Sequence, residues 1–263
     1  MTKALLLAIF GLGLVAQFVQ PVGDALEGKA FLGGALLSLV GYVLYSEVQK
    51  LNAALRPAPK DVVRMLDLRT VFDEALRLPE VRIDAIGFTG ETVVGQLSLA
   101  LEDLPDGVRP DVKVRILVPD FTKPMEIPGM LDSEGKAVDD ERNREELLGY
   151  VRRHEQRMKA LTRRLDHDRK ADLDSQFRVL HISPFLKFCL INGDQLFDGI
   201  YDEVVKKPAA DRSDQLLDLM GYQASLTRWH TDAGSAAREK CAQRKELFET
   251  LWDVARPFTP PAS

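Results

Sequence analysis

The chain has 263 residues, 45% hydrophobic and 29% charged, with a formal net charge of -5. Those proportions suit one ordinary domain with a core, plus roughly 60 residues for something else. The negative balance leads us to expect no general nucleic-acid binding, because that needs a basic footprint. The two cysteines, Cys189 and Cys241, fall in no CxxC or Cys/His pattern, so neither a disulfide framework nor a metal site is expected.

Residues 1–50 read as a transmembrane helical hairpin. Ala4 to Gly23 and Ala30 to Ser46 carry no charge, which predicts spans over about 4–20 and 30–46. Pro21, Gly23, Asp24 and Gly28 mark the turn between them. Gly11, Gly13, Gly33, Gly34 and Gly41 would let two helices approach closely. Lys3 flanks the first run, and Lys50, Arg56, Lys60 and Arg64 follow the second. That bias predicts a cell-membrane protein with both termini and its soluble domain in the cytoplasm. The bilayer is then its first expected partner.

Residues 51–80 read as a linker and a helix. Pro57 and Pro59 stop any extension of the apolar run. Met65, Leu68, Phe72 and Leu76 make a helical stripe that ends at Pro79. The domain proper is predicted over 81–256. Val81–Phe88 alternates as a strand. Thr89-Gly90-Glu91-Thr92 opens a helix to about Leu104, Val112–Val118 is a second strand, and Phe121–Val138 is a loop. Asp139 to about Asp174 is a charged helix with an apolar seam at Leu147, Val151, Met158, Leu161 and Leu165. The seam reads either as packing on a sheet, which we favour, or as a short coiled coil. Strands follow at 177–182, 184–191 and 195–201, the last two joined by an Asn192-Gly193 turn. Helices are expected over 211–226 and 233–255, then a flexible tail over 257–263. The fold class is therefore α/β: two N-terminal transmembrane helices, then a mixed, mostly parallel sheet covered by helices.

Two stretches bear on chemistry: Pro184-Phe185-Leu186-Lys187 through Asn192-Gly193-Asp194, and Asp198-Gly199-Ile200-Tyr201. With the strand order before them, they resemble one half of a phospholipase-D-like domain. That family's motif is His-x-Lys-x4-Asp followed by a Gly-Ser pair. The resemblance places Lys187 on the lysine that holds a phosphate oxygen. Phe185 stands on the nucleophilic histidine, Asn192 on the aspartate, and Ile200 on the serine after Gly199. The motif is thus degenerate, since phenylalanine can neither attack phosphorus nor move a proton. Two functions follow. One is a catalytically degenerate domain that binds a phosphate-bearing ligand or lipid head group, or serves assembly. The other is a phosphodiesterase working through displaced residues, with Lys187 and His181 as its catalytic candidates. A structural membrane protein without a small ligand is a third class.

The ligand-binding set expected is Lys187, Asn192, Thr89, Gly90 and Gly199, with no cofactor and no metal. Thr89 and Gly90 would offer a hydroxyl and backbone N–H groups at a helix start. Arg115 faces either the same pocket or an ion-pair partner. His154 and His167 read as solvated. Because the resemblance covers one half-motif, it also implies a homodimer or higher oligomer.

Overall fold

The computed structural model describes residues 39–48, 61–63, 68–105, 107–183, 185–201, 203–208, 215–219 and 225–259. The chain divides into two units, Met1–Pro57 and Ala58–Ser263. In the first, residues 39–48 form a helix. The earlier part of the second apolar run, residues 30–38, lies outside the described residues. Among the described residues no helix is long and apolar enough to cross a membrane. The two transmembrane helices of the expected fold class are corrected accordingly. The first apolar run, its turn and the 51–60 linker lie outside the described residues.

The second unit is a mixed α/β fold. Its elements are β1 (Asp61–Val63), α1 (Leu68–Ala75), β2 (Glu80–Ile86), α2 (Glu91–Glu102) and β3 (Asp111–Pro119). There follow β4 (Gly129–Leu131), β5 (Ala137–Val138), α3 (Glu141–His167), β6 (Asp172–Leu180), β7 (Leu186–Ile191) and β8 (Gln195–Ile200). The last are β9 (Val204–Pro208), β10 (Gln215–Leu219), β11 (Leu226–His230), α4 (Ser235–Val254) and β12 (Arg256–Pro257).

One sheet runs β1-β11-β8-β7-β2-β3-β6-β12, and a smaller one runs β5-β4-β10-β9. Only β2–β3 and β3–β6 are parallel. The other neighbours of the large sheet pair antiparallel. The expected mostly parallel sheet is therefore corrected to a mixed, mostly antiparallel one. A parallel pair needs a crossover long enough to carry the chain back, and α2 and α3 supply the two that exist. The remaining joins include the tight Asn192-Gly193 turn, where both residues have positive φ.

Helices cover both faces. Phe72 of α1, Val94 and Leu97 of α2, and Leu147, Val151, Met158, Leu161 and Leu165 of α3 share one core with Ile83, Val114 and Cys189. The α3 seam is therefore spent inside the unit, on the sheet and on α2. On the opposite face, Cys241, Phe248 and Trp252 of α4 pack on Ile86, Leu117, Phe188, Leu190 and Leu196. Successive side chains along β7 alternate between the two cores, Phe188 and Leu190 on one face and Cys189 and Ile191 on the other, as strand geometry requires.

Several stretches differ from the sequence reading, among them β4 and β5 inside the expected 121–138 loop. The charged helix ends at His167, because Arg169 takes φ 55 and turns the chain toward β6. The expected 211–226 helix is not there: Gln215–Leu219 pairs with β9 and β4. Leu226–His230 pairs with β8 and β1. Strand pairing outweighs the helix propensity of the leucine-rich run.

A charge network fastens α4 to the sheet. Asp84 of β2 is buried and accepts from Arg115 Nε at 2.6 Å and from Arg82 Nε at 3.0 Å. Arg115 also donates twice to Glu249 of α4, at 2.8 and 2.9 Å. Its guanidinium carbon lies 4.6 Å from the Phe248 ring centroid and 5.1 Å from that of Trp252. Burial opposes its charge, but the hydrogen bonds to Glu249 and Asp84 more than offset that and hold its pKa above the ordinary value. Asp84→Ala should cost about 3 kcal/mol in urea unfolding, because it leaves a donor of the half-buried Arg115 unmet against the sheet. The double variant Asp84→Leu/Arg115→Leu should lie closer to wild type than Asp84→Ala.

Candidate functional site

A small cavity of about 60 Å³ opens at the C-terminal end of β2. It is walled by the 85–93 segment, Ile116, Lys187, Phe188, Cys189, Tyr201 and Leu226. Parallel strands ending beside helix starts commonly leave such a crevice. Gly90 makes the local turn: it is the N-cap of α2 with φ 79, and a Cβ there would meet Ile116 Cγ2 at 3.3 Å. No side chain caps the helix start. The N–H groups of its first turn therefore lack intrahelical acceptors. Thr89, also buried, is part of the same wall.

Lys187 enters from β7 with only 5% of its surface exposed. Its Nζ lies 5.0 Å from the centroid of the Tyr201 ring. Burial pushes its pKa down to about 8, and the Glu91 carboxylate on the same wall pulls the other way. Tyr201 in turn accepts from the Phe88 backbone N–H at 2.9 Å, and burial raises the phenol's pKa. The cavity thus joins a buried ammonium, a helix start and one carboxylate within a mostly apolar wall.

Of the residues expected to bind ligand, the structure brings together Lys187, Thr89 and Gly90. It does not bring Asn192 there. That residue lies at the other end of β7, about 16 Å along the strand from Lys187. Its Oδ1 accepts from the Arg82 backbone N–H at 2.8 Å, and its own N–H donates to Arg82 O at 2.8 Å. Asn192 therefore shapes the turn. Gly199 pairs with Lys187 across β7–β8. A Cβ at Gly199 would meet Ser225 O at 2.7 Å and Leu226 Cδ2 at 2.8 Å. The absent side chain therefore admits the β11 backbone.

His181 lies elsewhere too. It is exposed, hydrogen-bonded to Pro124 O at 3.3 Å, and lines a separate hollow with Met125, Ile127 and Phe185. Phe185 is 42% exposed and does not line the Lys187 cavity, so it does not stand in a nucleophile's place there. Arg115 belongs to the ion network on the α4 face. His154, read as solvated, is half-buried, and its Nε2 has no hydrogen-bond partner among the described residues. Burial lowers its pKa. Sequence reasoning passed over Glu91 and Tyr201. The first was legible as an acidic residue in a helix's first turn. The second required knowing how β8 ends.

No family model matches the chain, and no curated protein does. Among solved structures it is similar to TrmBL2, an archaeal chromatin protein whose structure is described as showing a novel mode of DNA binding. The identity is 16% over 93% of this chain and 68% of that one, with a TM-score of 0.33. It is also similar to Nuc from Salmonella typhimurium, a phospholipase D family member. There the identity is 13% over 72% of this chain and 90% of that one, with a TM-score of 0.31. NucT from Helicobacter pylori gives 11% identity over 74% and 92%, also at 0.31. Overlaps of this size assign neither an activity nor a ligand to this chain. The exclusion of nucleic acid drawn from net charge is nonetheless corrected, since a DNA-binding protein stands among these structures.

The Lys187 pKa has a direct consequence for stability. A folded value near 8, below the ordinary 10.5, means the folded state binds fewer protons between those pH values. Stability then rises with pH across that window, and the cost of burying the charge applies in full below it. Lys187→Met should remove that rise, which is on the order of 3 kcal/mol, in urea melts at pH 7.5 and 10.5. Gly199→Ala should lower stability by about 1–3 kcal/mol through overpacking against β11, without changing that pH profile.

Proposed function

We propose that this chain is a phospholipase-D-like domain, degenerate in its histidine motif, that takes a phosphate ester into the Lys187 cavity. The observation that carries this is the meeting of a nearly fully buried ammonium with an uncapped helix start in one cavity. An ammonium on a strand with apolar neighbours carries a high desolvation cost, and an anion that displaces water repays it best. First-turn N–H groups of α2 would donate to the remaining phosphate oxygens. Glu91 disfavours a fully ionised phosphate monoester and favours a diester, which bears a single charge.

The lowered pKa of Lys187, near Glu91 on the same wall, favours a second reading, hydrolysis of the bound diester. Perturbed titratable groups in a cleft are a mark of catalysis. No histidine lines the cavity, so a phosphohistidine route has no nucleophile there. Lys187 would hold a non-bridging oxygen while Glu91 takes a proton from an attacking water, and the opposite P–O bond breaks to release one ester group as its alkoxide or phenolate.

Both readings are tested with bis(p-nitrophenyl) phosphate. Wild type should show a thermal shift at millimolar ester, fading as pH rises through about 8, and Lys187→Met should show none. An unchanged shift in Lys187→Met, or no shift in wild type, would sink the site. Release of p-nitrophenolate, lowered at least ~100-fold in Glu91→Gln, selects hydrolysis. Binding without release leaves recognition alone.

A further inference from the structure

We infer that the exposed face of α3 is a docking surface for a nucleic-acid strand. The whole chain is acidic, but the charge is segregated. Residues 152–164 carry Arg152, Arg153, Arg157, Lys159, Arg163 and Arg164 against one carboxylate, Glu155. Glu155 is itself buried and paired with Lys159. Five of these cations are exposed and Arg152 is half-buried.

At 100° per residue, Arg153, Arg157 and Arg164 fall within about 40° of one another around the helix. Lys159 and Arg163 stand on the adjoining stripe, beside a hollow they share with Asp174. Arg157 and Arg163 have no ion-pair partner among the described residues, whereas Arg164 meets Glu102 at 2.5 Å. A solvated face ordinarily mixes signs, because like charges four apart destabilise a helix. Arg153–Arg157 and Lys159–Arg163 are both such pairs. They are best satisfied by a polyanion laid across the face.

Three features select nucleic acid over a bilayer. Five of the six cations are arginines, whose fork matches a phosphodiester oxygen pair. The exposed residues between them are Gln156 and Ala160, so no large apolar side chain of 152–164 is available to enter a membrane. Arg153 to Arg164 spans about 17 Å, the axial reach of roughly five nucleotides.

The face also leads to the cavity. Glu91, on the cavity wall, acts electrostatically on His154. Glu102, at the other end of α2, holds Arg164. The arginines therefore run beside α2 from the cavity's mouth, and a bound strand presents a phosphodiester to it. That last step rests on the phosphate-ester reading of the cavity; the docking does not.

The test is fluorescence anisotropy of the full chain with labelled 20-nucleotide DNA, single-stranded and duplex, between 50 and 200 mM salt. Wild type should bind at 50 mM and weaken steeply with salt. Arg153→Gln/Arg157→Gln/Arg163→Gln should bind at least ~10-fold more weakly, its log–log salt slope reduced by about 2–3. It should keep the bis(p-nitrophenyl) phosphate thermal shift. Lys187→Met should keep DNA binding, so failure of the cavity and failure of the docking face give different patterns. Three results overturn the inference: no DNA binding by wild type, equal binding by the triple variant, or arginine-dependent binding to phosphatidylserine vesicles but not to DNA.

Discussion

A carboxylate whose side chain is 4% exposed sits in the middle of β2 and is shared by two arginines, one on its own strand and one on β3. Burying Asp84 alone would cost several kcal/mol. It is tolerable because Arg115 also reaches Glu249, so a charge in the sheet becomes a tie between layers. Phe248 and Trp252 close over the guanidinium and exclude water from it. The position of α4 follows from that tie. With α4 fixed on one face, α1, α2 and α3 share the other, and the end of β2 lies open between them.

Lys187 poses the same problem on the opposite face and meets it differently. Asp84 has fixed ionic partners in the sheet, whereas Lys187 has an aromatic face and a carboxylate on the cavity wall. The consequence is visible in the two cations. Arg115 is held more firmly charged than an ordinary arginine, while Lys187 is pushed toward neutrality. A fully compensated charge is structural and inert. An incompletely compensated one responds to pH and to any anion that reaches it, and that makes it a site.

How much was legible follows from the range of the forces involved. The strands at Val81, Val112 and Leu186 and the helix at Glu91 are set by local periodicity, and they stand as read. So does the Asn192-Gly193 turn, whose positive φ values are local. The strand β10 was misread as helix, and β11 fell between two expected helices, because partners far along the chain help decide both. The site divided the same way. Lys187, Thr89 and Gly90 were found from a motif and a turn. Asn192 and Gly199 kept their places in the motif pattern, but local geometry explains both: one makes the turn, the other admits a neighbouring backbone. Spacing along a chain fixes which residues recur, not which end of a strand they serve.

Net charge failed as a guide for a related reason. A total of -5 averages over distances far greater than the Debye length of about 8–10 Å. A ligand on one face of α3 responds only to charges within that range. Some of the acidic residues counted in it lie elsewhere, in ion pairs: Asp84 and Glu249 in the sheet network, Asp198 against Lys240 and Arg244, Asp120 against Arg256. Those carboxylates are already neutralised locally, and they cancel nothing on α3. What decides whether a polyanion can approach is which charges the fold leaves unpaired, and on the outer turns of α3 those are arginines.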